Sequence, residues 1–155
     1  VTWAGAVAQL KTNVTTATTD IGGDWLVRHG EPDALVQDTL ALWPTGSQPS
    51  RTGGNSYTKV NIERGVQVTG YLRGSIRIGE IDDALEARLV DLEEKLFTRI
   101  WADADLGGNS IGLAIDGSTY GWVEIGGNAA TPGQIARTVS FVVWVDLPEV
   151  ATISL

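Results

Sequence analysis

The chain has 155 residues, enough for one domain with a continuous core, and we read residues 1–155 as that single domain. Its hydrophobic share of 43% and charged share of 19% exclude disorder over most of the length, and no apolar run reaches the roughly 18 residues of a membrane span. A net charge of -8 excludes a whole-surface attraction to phosphate, and the absence of cysteine excludes disulfides and thiolate metal sites.

The start Val1-Thr2-Trp3-Ala4 lacks the basic and apolar regions of a signal peptide, so a cytoplasm is the expected place of folding. Trp3, Val7, Leu10, Val14 and Ala17 recur at helical spacing and predict an amphipathic first helix, stopped by Gly22-Gly23. Trp25 to Arg28 reads as a short strand, closed by Glu31-Pro32-Asp33, and Asp38 to Trp43 as a second strand ended by Pro44. Thr45 to Ser56 consists almost wholly of Thr, Gly, Ser, Gln, Pro, Asn and Arg, which predicts a long polar loop of the kind that often carries function. From Tyr57 to Ile78 apolar residues alternate with polar ones, as in half-buried strands, with Gly65, Gly70 and Gly74 marking turns or bulges.

A second helix is predicted from Glu80 to Ala102, where Ile81, Leu85, Leu89, Leu92, Leu96 and Ile100 form one apolar stripe and Gly107-Gly108 supplies the stop. Ile111 to Asp116 and Tyr120 to Ile125 predict a hairpin over Gly117-Ser118. The last strand, Arg137 to Leu147, has Val139, Phe141, Val143 and Val145 on one face and Val142 and Trp144 on the other. It should therefore be central, covered by helix on one side and by the first helix or a neighbouring subunit on the other. The expected fold is α/β of the α+β kind: a mixed, mainly antiparallel sheet of about four to six strands packed against two helices, with a long polar loop.

The triplet Gly-Gly-Asn recurs at Gly53, Gly107 and Gly126, but its intervals are unequal, so it reads as turn chemistry. His29 is the only histidine and sits in a polar strand end with no ligand at metal spacing, so it reads as an ordinary surface residue. Asp103-Ala104-Asp105 lies where a helix must end, and Glu63, Glu80, Asp82, Glu124 and Asp146 offer carboxylate pairs among which spacing selects none. Gly46 to Gly54 lacks the Lys and hydroxyl ending of a phosphate loop. No catalytic residue, cofactor or metal is expected.

Six tryptophans are more than a core of this size needs. Trp101 and Trp144 read as core; for Trp43 and Trp122, burial by a partner and burial within the monomer weigh equally. The candidate partner interface is Trp43, Arg51, Asn55, Tyr57, Trp122 and Asn128.

The order of elements, with Asp105-Leu106-Gly107-Gly108 after the long helix, Asp146-Leu147-Pro148 ending the last strand and Val66 to Gly74 before the helix, resembles the bacteriophage tail terminator or minor tail protein family. The resemblance implies a hexameric ring that caps the head-proximal end of the tail tube, stops its polymerisation and joins it to head-completion proteins. It also implies assembly in a bacterial cytoplasm into a virion, with DNA passing through the lumen without specific binding, and no membrane; from the chain's own charge, acidic side chains are expected to line that lumen. The Gly/Ser-rich loop departs from the family's pattern; it is expected to reach the tube or a neighbouring subunit and to order on contact. A tube subunit or head-to-tail stopper would use the same elements. A carbohydrate-binding module would explain Trp, Gly and acidity together, but such modules are usually all-β and the long helix opposes one.

Overall fold

The computed structural model describes residues 3–50, 59–74, 77–128, 130 and 133–152. Helix α1, Trp3–Ile21, buries Ala6, Leu10, Val14 and Ala17, the side that the spacing of three and four had defined. Its Thr-rich second half stays helical where Val14 and Ala17 are buried, and there Thr12, Thr15, Thr16 and Thr19 turn their hydroxyls back to carbonyls one turn earlier. Gly22, at φ 81°, ends the helix in the left-handed region.

Strand β1, Trp25–His29, runs parallel to the first five residues of β2, Asp38–Pro49. β3, Lys59–Arg73, is antiparallel to β2 on one side and on the other to β6, Gln134–Thr152. Between them in sequence stands α2, Asp83–Trp101, capped by the Asp82 carboxylate, which accepts from the backbone N–H of Ala84 and Leu85 at 3.1 and 3.2 Å. β4, Gly112–Ile115, and β5, Thr119–Ile125, both lie along the far side of β6. The result is an α+β domain: a mixed six-stranded sheet in the order β1-β2-β3-β6-β4, β5 also pairing with β6, and two helices.

Both helices lie on the same face. Leu10 and Val14 of α1 and Leu89, Leu92 and Leu96 of α2 share one core with Leu40, Leu42, Val68, Phe141 and Val143 of the sheet. Phe97 and Phe141 meet edge to face at 5.0 Å between ring centroids. Among the described residues, the opposite, outer face carries a small cluster of Leu35, from the segment after β1, with Ala41, Tyr71, Ile125 and Ala136, against which Trp43 and Val123 pack. The central strand β6 is thus covered by helix on one face, and α1 is not the second cover.

Four expectations are corrected. β2 does not end at Pro44 but continues to Pro49, so residues 45–49 of the predicted loop are strand; a proline is tolerated there because this stretch is an edge. Gly65 and Gly70, read as turns or bulges, are not turns: both lie inside β3, Gly65 opposite the register shift between Pro44 and Gly46, and a Cβ on Gly70 would come within 2.5 Å of Leu92 Cδ2. β4 and β5 do not form a hairpin: both are antiparallel to β6, hence run in the same direction, and the Gly117-Ser118 segment is a kink in one long edge. Neither Trp101 nor Trp144 is core: Trp101 is 49% exposed at the end of α2, and Trp144 is half-buried on the outer face.

Candidate partner interface

The outer face is built by odd-numbered residues of β3 and even-numbered residues of β6, which the pleat turns away from the helices. Trp43 of β2 stands opposite Gln67, and Gln67 opposite Val142, so an aromatic, an amide and an aliphatic side chain form one row. In the next row the Trp144 ring lies across Gly65: a Cβ there would sit 3.1 and 3.2 Å from its Cζ3 and Cη2. The Trp144 indole N–H donates to Asp116 Oδ2 at 2.8 Å, which fixes the ring and ties β6 to the kink between β4 and β5. Trp43, Val142 and Trp144 are each half-buried. Towards the middle of the face, Gln67, Thr69 and Ser140 join their side chains in a hydrogen-bonded cluster.

Beyond Trp144 the sheet places Glu63 and Asp146 directly opposite each other, a pairing that sequence spacing did not single out. Both are buried, at 1% and 3% exposure. Gln48 donates to Glu63, and Ser50 Oγ donates to Asp146 Oδ2 at 2.8 Å. The polar residues of the β2 end therefore serve as donors to two enclosed carboxylates, which makes this pair a structural clasp shut off from solvent. Among the described residues no group of three or more His, Cys, Asp or Glu stands close enough to hold a metal ion.

Of the candidate interface residues, the three that are described, Trp43, Trp122 and Asn128, lie apart from one another. Trp43 is on the outer face. Trp122 is on the helix face, half-buried, with the Arg137 guanidinium 3.9 Å from its ring centroid, and its indole nitrogen is buried without a hydrogen-bond partner among the described residues. Asn128 is exposed in the connection from β5 to β6, where its Oδ1 accepts from the Ala130 N–H at 2.8 Å. Arg51, Asn55 and Tyr57 lie outside the described residues.

Sequence reading missed a groove beside α1. β1 stops at His29 while β2 runs on, and the vacated place under the start of α1 is a groove of about 350 Å³ lined by Trp3, Val7, His29, Leu42, Pro44 and Val66. Ala8 and His29 are shared with a second hollow that runs on along Lys11, Thr12, Thr15 and Thr16. The exposed Ala4, Ala8 and Thr12 at intervals of four were the available signal, a strip of short side chains that leaves the helix approachable.

Among the ionisable groups that depart from their ordinary behaviour are Asp103, Tyr71 and Tyr120. The Asp103 carboxylate is held below the usual range, chiefly by the hydrogen bond from Asn13, with the Gly107 N–H and Gln9 adding to it. Burial first, and the Glu31 charge second, push the Tyr71 phenol up to about 12. Tyr120 is raised by its hydrogen bond with Glu93.

No protein-family profile and no curated protein matches the chain. Among solved structures it is similar to the sheath/tube terminator of PVC, an extracellular contractile injection system, in the extended state seen by cryo-EM. The TM-score is 0.46 and the identity 10%, over 100% of this chain and 61% of that one. The chain thus spans less than two thirds of that neighbour's length.

Proposed function

We propose that the protein is a structural, non-catalytic subunit of a tail-like particle: a terminator that assembles into a ring, hexameric by the family resemblance, caps the head-proximal end of a tail tube and offers its other rim to head-completion proteins. The observation that carries this reading is the one-sided build of the domain. Two helices cover one face of the sheet, while on the other Trp43, packed against the small Leu35 cluster, and Val142 and Trp144 stay half-buried. A sheet with apolar side chains on both faces is most stable when both are covered, and a second protein surface provides the missing layer. The enclosure of Glu63 and Asp146 agrees with a role through shape and not turnover. In a ring, the surplus of acids would repel DNA from the lumen and let it pass.

The test is to add the purified full chain to polymerising tail-tube protein and image the products by negative stain. The expected products are short tubes with a cap at one end and closed rings of the subunit alone. Long uncapped tubes, with the chain remaining a free monomer, would reject the reading.

A further inference from the structure

The sheet treats its free edges unequally. Beyond β1, the edge of β2 carries Pro44 and Pro49, which supply no N–H, and a register irregularity between Pro44 and Gly46. Pro148 stands in the stretch of β6 that runs past its pairing with β4. Prolines and bulges are the devices that keep an edge from recruiting another strand. β5 and β1, at opposite sides of the sheet, carry none. The Asp116 N–H donates to the Val142 carbonyl, so even-numbered residues of β6 face β5. Their register partners in β5 are Gly121 and Val123, which leaves the backbone groups of Tyr120, Trp122 and Glu124 directed outward. On β1 the Gly30 N–H donates to Leu42, and alternation turns those of Trp25, Val27 and His29 outward.

The two edges also match in direction and charge. β1 is parallel to β2, and each later step across the sheet is antiparallel, so β5 runs opposite to β1. A cyclic repeat of the subunit preserves these directions and brings β5 of one copy antiparallel to β1 of the next, a heterologous contact of the kind that closes rings. The same repeat sets the helix layer beside the helix layer. The flank of α2 next to β5 presents Glu93, bonded to Ser118 Oγ at 2.6 Å and half-buried. The flank of α1 beside β1 presents the short strip of Ala8 and Thr12 and, among the described residues, a Lys11 with no ion pair. Lys11 shares its hollow with His29, which lies in one row with Leu42, Val68 and Phe141; Ser118 precedes Thr119, the partner of Ser140, and so lies on the Phe141 side of that pair. With the rows of two copies aligned, the lysine and the glutamate stand at one height.

Resting on the ring reading above, we propose that β5 of one copy pairs with β1 of a second copy, with Glu93 of the first meeting Lys11 of the next. The test is native mass spectrometry of the full chain as wild type, Lys11→Glu, Glu93→Lys and the double variant, with thermal unfolding to establish that each is folded. Each single reversal should weaken assembly about tenfold, and the double variant, which restores opposite charges, should recover it. A backbone variant, Glu124→Pro, removes an outward donor and should stop assembly regardless of charge. Assembly that persists unchanged through all three substitutions, or single losses that the double variant does not repair, would overturn this interface while leaving the ring intact. A wild type that stays monomeric would overturn both.

Discussion

Gly70 of β3 and Leu92 of α2 touch so closely that the absence of a side chain on the one makes room for the other: a Cβ on Gly70 would lie 2.5 Å from Leu92 Cδ2 and 3.4 Å from Val139 Cγ1. The helix can settle on the sheet at this point because the strand offers a notch. Gly70→Ala should therefore destabilise by about 1–3 kcal/mol through overpacking, measured by denaturant unfolding. Combining it with Leu92→Ala should cost less than the sum of the two singles, because the second change vacates the space that the first one needs.

Among the described residues, Arg137 is the charged side chain that β6 sends under α2. It is 7% exposed, bonds both Glu86 oxygens at 2.6 and 3.1 Å and lies over the Trp122 ring. Arg137→Ala should cost about 2–3 kcal/mol, below the figure for a wholly buried pair because Glu86 retains partial solvent contact. Arg137→Lys should recover only part of this, since a point charge cannot reproduce the two-pronged contact. Chemical denaturation of the three proteins checks both.

Asp103 ties the two helices together, accepting from Gln9 and Asn13 at 2.9 Å each and from the Gly107 N–H at 3.0 Å. Its carboxyl is held low in the folded state. Its contribution is accordingly present above the unfolded carboxyl value and is lost as pH falls through the lower folded value. Asp103→Ala should cost about 1–2 kcal/mol at neutral pH, and the gap to wild type should narrow in strong acid. Thermal melts across the acid range measure it.

Tyr71 shows the opposite sign. A phenol pushed from 10.0 up to about 12 favours folding while it is neutral, so stability is complete below the unfolded value and falls as pH rises through the folded one. Between those limits Tyr71→Phe should lose less stability with rising pH than wild type. Alkaline unfolding followed by circular dichroism tests this.

What could be read from the sequence was what depends on local pattern. The stripe from Leu85 to Ile100, the acids at its start and the alternation of Val139, Phe141, Val143 and Val145 define α2 and β6 without any knowledge of their neighbours. The continuation of β2 past Pro44 was hidden because its residues are polar and bond to Glu63 and Asp146, which are distant in sequence. The glycines of β3 resemble turn residues until Leu92 and Trp144 are in place above them. Trp43 and Trp122 could not be assigned to faces, since strand parity depends on a register that is fixed only across the whole sheet. The free edges of β1 and β5 have no signature in composition at all. An edge is defined by which strand is missing beside it.

The central claim is that this protein works by associating with itself and with a tube end. Sedimentation velocity of the purified full chain over a wide concentration range tests that most directly. The account predicts a monomer giving way to one discrete closed species, with no continuous series of larger ones. A single monomeric boundary at every concentration would contradict it, as would open-ended growth into filaments.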